Sequence, residues 1–135
     1  MTNRRVARES ALQMLYQLDI TGDDLETVAA KYWSVRFPAA EARSFADHLV
    51  GTVRERREEI DELLTRYLTN YRLSRLGVVE RSLLRSACAE LLLEVTPVRV
   101  IIDESVEIAR DYAGDDAAGL VNAVLDRLAR AQGLL

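Results

Sequence analysis

Three arginines near the N-terminus, Arg4, Arg5 and Arg8, have the residue type and spacing of an anion-binding site. Arg4 and Arg8 are four residues apart, so they lie on one face of a helix. Positive side chains oppose the dipole at a helix N-terminus, whereas an anion bound there gains from the guanidinium groups and the unpaired backbone N–H groups. The residues alone leave two interpretations open: an anion-binding site, or a solvated helix end that tolerates arginine.

The charge distribution restricts any nucleic-acid contact to one part of the surface. The net charge is −4 over 135 residues, which argues against a general nucleic-acid binder. Residues 1–9 hold three arginines and one glutamate, whereas the rest of the chain has six more acidic than basic side chains. A local basic segment on an acidic body is typical of binding at a single place.

The sequence contains no motif for catalysis. Glycine-rich phosphate loops, nucleophile motifs and metal-ligand spacings are all missing. His48 is the only histidine and Cys88 the only cysteine, so neither a zinc site nor a Cys–His pair is supported. Asp103, Glu104 and Glu107 are carboxylates on a predicted helix surface with no sign of a pocket. We predict a non-enzymatic protein without cofactor or metal, which acts through its surfaces.

The elements that position these residues are predicted to be helical throughout. Apolar residues recur at helical spacing along the chain, and only six glycines and two prolines interrupt it. We predict an all-α bundle of about seven helices in one domain, with two packed helical halves of about 1–72 and 73–135 joined by the segment 71–77. The predicted helices span about residues 3–19, 23–36, 38–70 with a bend or break near 54–57, 79–95, 97–113 and 116–132.

Local signals fix several helix ends in this prediction. Asp23 is expected to cap the second helix. Thr96 is expected to cap the sixth, with Pro97 at its first helical position. Gly114 supplies a stop, after which Asp115 or Asp116 caps the last helix.

Several apolar residues leave alternatives. Trp33 and Phe37 form either a base-stacking platform or the edge of the core, and the lack of nearby basic residues favours the core. Cys88 is predicted to be a buried core residue. The helix face from Leu83 to Leu92 either fills the core or mediates a homodimer.

The expected compartment is the cytoplasm. No apolar run approaches the roughly 20 residues that span a bilayer, and no apolar signal segment follows Arg4. Because no apolar run of that length is present, we expect no membrane association. The single cysteine excludes an intramolecular disulfide.

Three blocks of the sequence, in order, resemble the NusB family. The resemblance covers nearly the whole chain, which makes it specific, and the C-terminal block resembles the family's C-terminal signature. The matching positions are Arg4-Arg5, Ala7-Arg8-Glu9, Ala11-Leu12-Gln13 and Leu15-Tyr16; Val79-Glu80-Arg81, Leu83-Leu84-Arg85 and Glu90-Leu91; and Pro97, Val100, Ile102, Asp103-Glu104, Val106-Glu107, Ala109-Arg110, Tyr112, Val121-Asn122 and Val124-Leu125-Asp126.

The resemblance implies an all-helical antitermination factor of bacterial transcription. NusB proteins bind a single-stranded RNA element called boxA and pair with NusE, a small ribosomal protein. The pair helps RNA polymerase resist termination, including during ribosomal RNA synthesis. Carried over by position, the implied RNA-binding residues are Arg4, Arg5, Arg8, Asp116, Leu120 and Asn122, and the implied NusE-binding residues are Tyr16 and Glu80.

The sequence departs from the family pattern at the implied RNA site. Val6 interrupts the arginine segment, and Leu120 stands where the family usually has phenylalanine. The alternative function is therefore that of a NusB-fold paralogue that binds proteins and not RNA. A third, the helical domain of an RNA methyltransferase, is disfavoured because the sequence has no methyl-donor motif.

Overall fold

The computed structural model describes residues 2–70 and 72–135. Within these ranges the chain forms seven α-helices, one short 3-10 turn and no β-strand, which confirms the predicted all-α class. Tyr71, placed by the sequence analysis in the connection between the halves, lies outside the described residues. The elements are α1 (Asn3–Thr21), α2 (Leu25–Ser34), α3 (Ala40–Glu55), α4 (Arg57–Tyr67), the 3-10 turn (Leu73–Arg75), α5 (Val78–Leu93), α6 (Val98–Ala113) and α7 (Asp115–Ala131).

The ends of α1 and α2 are set by short polar residues and a glycine. Thr2 caps α1, because its Oγ1 accepts a hydrogen bond from the Arg5 N–H at 3.1 Å. Gly22 ends this helix in the left-handed region, with φ of 71°. Asp24 caps α2 by accepting from the Thr27 N–H at 2.8 Å. The predicted cap at Asp23 is therefore wrong by one residue.

The predicted break in the long helical stretch is confirmed at a single residue. Arg56 separates α3 from α4 with φ of −111°. Its guanidinium holds Glu59 in the first turn of α4 through two hydrogen bonds of 2.8 and 2.9 Å.

The residues predicted to cap α6 and α7 do not form side-chain cap hydrogen bonds. Pro97 has ψ of 135°, so it stands before α6 and not inside it, and no side chain caps this helix. Gly114, with φ of 94°, precedes α7. Asp115 and Asp116 lie in the first turn of α7, where their charge favours the helix dipole without a cap hydrogen bond.

Helix α5 is the centre of the bundle. It packs against α1, α3, α4, α6 and α7, and its residues 82–91 are all buried. Leu83, Leu84 and Leu91 belong to the core. The face that we considered for a homodimer is therefore occupied inside the chain.

Trp33 and Phe37, which were predicted to lie together, have different environments in the structure. Trp33 is buried and its Nε1 donates to Asp47 at 2.9 Å. Phe37 is 89% exposed, so its predicted place at the edge of the core is wrong. Because α2 already ends at Ser34, the following loop carries Phe37 into solvent.

The helices of residues 2–70 and 72–135 lack the combination of length and apolar character that a membrane span requires. The same residues contain no group of three His, Cys, Asp or Glu side chains that could hold a metal ion.

Cys88 is expected to be unreactive in the folded protein. Burial, together with the nearby Glu59 carboxylate, raises its pKa to about 12, so the thiolate that attacks disulfide reagents is scarce near pH 8. We expect the reaction with a disulfide reagent to be at least about a thousand times slower in native than in denatured protein. Stopped-flow absorbance with and without guanidinium chloride measures this ratio, and a fast stoichiometric reaction in native protein would contradict it.

Candidate RNA and protein interface

Arg8 lies in the core and not on the surface. Its side chain is 6% exposed, and its Nε and Nη2 donate to the Glu90 carboxylate on α5 at 2.9 and 2.8 Å. Its Nη1 also lies 3.7 Å from Glu104 on α6. An RNA contact needs an accessible guanidinium, and in this structure the Arg8 guanidinium is buried in its ion pair with Glu90. The reason is that α1 lies between α3 and α5, which widens its buried face to include Arg8 beside Leu12 and Leu15.

Arg5 is partly exposed but surrounded by four carboxylates, which we call the acidic ring: Glu9, Glu104, Glu107 and Asp111. The shortest contacts are to Asp111 at 2.8 Å and Glu9 at 3.0 Å. Glu104 and Glu107 lie at 3.8 and 3.9 Å. An incoming phosphate must compete with this ring for Arg5 and is repelled by it.

Crowding of the acidic ring changes the pKa of one member. Burial and a hydrogen bond with Glu107 raise the pKa of Glu104, although Arg8 and Arg5 act in the opposite direction. Glu104 therefore takes up a proton at a higher pH than an ordinary glutamate does.

Arg4 differs from the other two arginines of the cluster. It is exposed, and its guanidinium carbon lies 3.7 Å from the centre of the Phe45 ring on α3. Among residues 2–70 and 72–135, no carboxylate lies within ion-pair distance of Arg4. Its charge is therefore available to a ligand.

A chain of hydrogen bonds connects the arginine end of α1 with the next turns of the same helix. Glu9, which accepts from Arg5, also accepts from the Tyr112 hydroxyl at 2.8 Å. The Tyr112 hydroxyl in turn accepts from Gln13 at 2.9 Å, and Gln13 accepts from the Tyr32 hydroxyl. The acidic ring and the surface around Gln13 are thus held together by α6 and α2.

Tyr16 lies in a mainly apolar groove that begins at Gln13. Tyr16 is 42% exposed, and the walls come from α1, the start of α5, the end of α6 and the loop after α2. We call this the Tyr16 groove; its lining residues are Leu12, Gln13, Tyr16, Gln17, Arg36, Val79 and Tyr112.

Glu80 lies in the first turn of α5 and follows Val79, a lining residue of the Tyr16 groove. A Cβ added to Gly77 would lie 2.8 Å from the Glu80 carboxylate. Gly77 therefore gives this carboxylate room to fold back over the helix N-terminus, where negative charge is favourable. Of the two predicted partner residues, Tyr16 lines the groove, whereas the Glu80 carboxylate lies against Gly77 at the start of α5.

The predicted residues of α7 differ from one another in exposure. Asp116 and Asn122 are exposed, and Leu120 is half-buried against the core. Across residues 2–70 and 72–135, no hydrogen bond or ion pair joins the α7 residues to Arg4 or Arg5. Helix α6, which carries three members of the acidic ring, packs against α7, and the Arg110–Asp115 pair of 3.0 Å braces the turn between the two helices at Gly114.

Sequence reasoning missed the roles of two residues of these surfaces. The sequence analysis names Tyr112 only as a position of the family pattern, yet it is 38% exposed and joins the acidic ring to the Tyr16 groove. Arg36 lines that groove, with its guanidinium 3.9 Å from the Tyr32 ring. The residue type could have indicated the role of Tyr112, because the hydroxyl of a tyrosine that packs on an apolar face usually forms a hydrogen bond.

Comparison with known proteins places the chain within one group. The profile of the NusB family matches residues 5–130. A transcription antitermination protein NusB of Koribacter versatilis is 40% identical over 94% of this chain and 88% of its own length. The NusB of Anaeromyxobacter dehalogenans strain 2CP-1 is 38% identical, covering 96% and 92%.

Solved structures agree with the sequence comparison. A chain in the crystal structure of antitermination factors NusB and NusE in complex with dsRNA has a TM-score of 0.89 and 30% identity, covering 97% of this chain and 98% of that one. NusB of T. maritima has a TM-score of 0.86 and 34% identity, covering 96% and 92%. On sequence and fold together, this chain belongs to the NusB family.

Proposed function

We propose that this chain is a transcription antitermination factor that binds boxA-like single-stranded RNA together with NusE. In this proposal the complex acts with RNA polymerase and supports ribosomal RNA synthesis. The observation that carries it is the adjacency of an arginine end and the Tyr16 groove on one side of α1, linked through Glu9, Tyr112 and Gln13. A ligand that covered both surfaces would hold RNA and a protein partner beside each other.

The three arginines take different roles in this proposal. Arg4, which is exposed and has no carboxylate partner among the described residues, contacts RNA directly. Arg5 contributes to the extent that phosphate displaces the acidic ring. Arg8 positions α1 against α5 through Glu90 and touches no ligand. Asp116, Leu120 and Asn122 remain proposed RNA contacts reached along the α6–α7 turn.

One observation favours the alternative function of a paralogue that binds proteins only. The acidic ring neutralises Arg5 and places more negative than positive charge at the proposed RNA surface. Leu120 also offers no ring for a base to stack on. The two functions differ in whether this surface binds RNA at all.

Fluorescence anisotropy of a labelled boxA-like RNA tests the proposal. The titration is done with and without NusE, against a scrambled RNA, at low and moderate salt. We expect preference for the boxA-like RNA, tighter binding with NusE, and weaker binding by an Arg4→Ala/Arg5→Ala variant. An Arg66→Ala/Arg130→Ala variant is the control, since it removes two exposed arginines whose pairs are local.

Two outcomes would contradict the proposal. Equal binding to both RNAs that vanishes with salt would mean only non-specific attraction to a charged segment. No binding even with NusE would favour the protein-binding paralogue.

Neutralising part of the acidic ring is expected to strengthen RNA binding. A Glu107→Gln/Asp111→Asn variant removes two charges that hold Arg5 and repel phosphate. At the distances involved we expect a gain of about 1 kcal/mol, or roughly five-fold in affinity. The same anisotropy assay measures it at low salt.

The control for this prediction is Glu58→Gln/Glu62→Gln, which changes the net charge equally on α4. An equal gain in both variants would mean that only net charge matters. Unchanged affinity in the Glu107→Gln/Asp111→Asn variant would remove the acidic ring from the account of RNA binding.

A further inference from the structure

A groove separate from the acidic ring lies between the N-terminal end of α1 and the first turns of α3. Its lining combines a guanidinium, an aromatic ring and several small polar groups. We call it the α1–α3 groove; its main residues are Asn3, Arg4, Glu41, Ser44, Phe45 and His48. The resemblance to the family assigned none of its α3 residues to a ligand.

The floor of the α1–α3 groove is a preformed planar platform. Phe45 is 9% exposed and packs in the core, and the Arg4 guanidinium lies 3.7 Å from its ring centre. This stacking holds the guanidinium in place without a carboxylate among the described residues. Since one face of the guanidinium is against Phe45, the other face is left for a second planar group. Unpaired RNA bases stack on arginine planes in this way.

The wall of the groove offers groups that can read a base edge. Ser44 and His48 are four residues apart on α3, so they lie on the same helix face, and both are exposed. Within residues 2–70 and 72–135, the hydroxyl of Ser44 and the imidazole of His48 make no hydrogen bond. A hydroxyl and an imidazole can each donate to or accept from the polar atoms of a base.

Charge in the groove favours a base over a phosphate. Glu41 lines it and accepts a long hydrogen bond of 3.4 Å from the Asn3 amide. A carboxylate repels phosphate, but it accepts a hydrogen bond from an exocyclic amino group of a base. The phosphates of a bound strand would therefore lie outside the groove, nearer the outer edge of Arg4.

We infer that the α1–α3 groove binds one unpaired base of single-stranded RNA, stacked on Arg4 above Phe45 and read by Ser44 and His48. This inference rests on the proposed RNA-binding function and adds α3 to its contact surface. It also supplies a flat stacking group to the proposed RNA site, which Leu120 of α7 does not.

The test uses a boxA-like RNA with 2-aminopurine placed at one position at a time, bound to the complete chain with NusE. Arg4→Lys keeps the charge and removes the plane, and Arg5→Lys is the matched control. A second variant, Ser44→Ala/His48→Ala, changes only exposed side chains, and circular dichroism verifies that every variant is folded.

We expect a fluorescence change on binding at one nucleotide position that Arg4→Lys abolishes. Arg4→Lys should weaken binding between about five-fold and one-hundred-fold, the range of losing one stacked base, with an unchanged salt dependence because no charge is lost. Ser44→Ala/His48→Ala should weaken binding to the preferred RNA more than to a scrambled RNA. Arg5→Lys should leave the fluorescence change at that position in place.

The failures of the two proposals are distinguishable. If the wild-type chain with NusE binds no RNA, the proposed function is wrong and the groove assignment falls with it. If the wild type binds RNA but Arg4→Lys and Ser44→Ala/His48→Ala bind equally well, with no position-specific signal, only the groove assignment is overturned.

Discussion

Replacing Arg8 by methionine is expected to lower the free energy of unfolding by about 3–5 kcal/mol. The Arg8–Glu90 pair is doubly hydrogen-bonded, and Glu90 is 2% exposed. Without Arg8, the Glu90 carboxylate stays buried without its partner, which costs more than the pair itself contributes. Methionine nearly preserves the volume, so the loss reports the charge and not a cavity.

Urea unfolding followed by circular dichroism measures this loss. The double variant Arg8→Met/Glu90→Leu should recover most of the stability, because neither charge is then buried. Arg4→Met is the control for an exposed arginine in the same cluster, with an expected change within about 0.5 kcal/mol. If Arg8→Met were as stable as Arg4→Met, the assignment of Arg8 to the core would be wrong.

The Arg8 result bears directly on how RNA binding is tested. In a variant that replaces all three arginines, any loss of RNA affinity is mixed with the loss of stability that follows from removing Arg8. Arg4 and Arg5 must therefore be changed while Arg8 is kept.

Helix content and order could be predicted from the sequence because they depend on local periodicity. Apolar residues at helical spacing are buried on one face of a helix, as Ile101, Ile108 and Ala109 are on α6, and the break predicted near 54–57 lies at Arg56. Helix starts were less certain, since Asp23 and Asp24 are equally good caps in sequence. Only the backbone of the folded turn selects Asp24.

The roles of the arginines could not be predicted, because they depend on distant partners. Glu90 lies 82 residues from Arg8, and three members of the acidic ring come from α6. Three arginines at helical spacing look equivalent in sequence. In the fold, one is a core ion pair, one is held by the acidic ring and one is stacked on Phe45.

The relation of Tyr16 to helix α5 also depended on the fold. The family resemblance named Tyr16 and Glu80, but 64 positions separate them in the sequence. Helix α1 packs against α5, and Val79, the neighbour of Glu80 in the chain, lines the Tyr16 groove. A surface that is divided between two distant helices in this way leaves no periodic signal in either one.

Replacing Tyr16 by alanine is expected to weaken NusE binding by about 2 kcal/mol, or roughly thirty-fold. Tyr16 is a half-exposed ring at the side of an apolar groove, and tyrosines in such positions often dominate an interface. Its hydroxyl makes no hydrogen bond within residues 2–70 and 72–135, so the alanine variant should remain folded. Isothermal titration calorimetry with purified NusE measures the loss.

Tyr16→Phe is the matched variant, because it keeps the ring that would fill the interface and removes only the hydroxyl. If the ring carries the interaction, Tyr16→Phe should bind NusE nearly as well as the wild type while Tyr16→Ala does not. Equal losses in both would assign the contact to the hydroxyl. Wild-type affinity in both variants would exclude the Tyr16 groove as the NusE site. The hydrogen bonds through Tyr112, Gln13 and Glu9 would then have no role in holding RNA and NusE beside each other. Tyr16 lies two turns from Arg8 on α1. A loss of NusE affinity with unchanged stability would therefore show that Tyr16 acts in partner binding, whereas Arg8 on the same helix acts in stability.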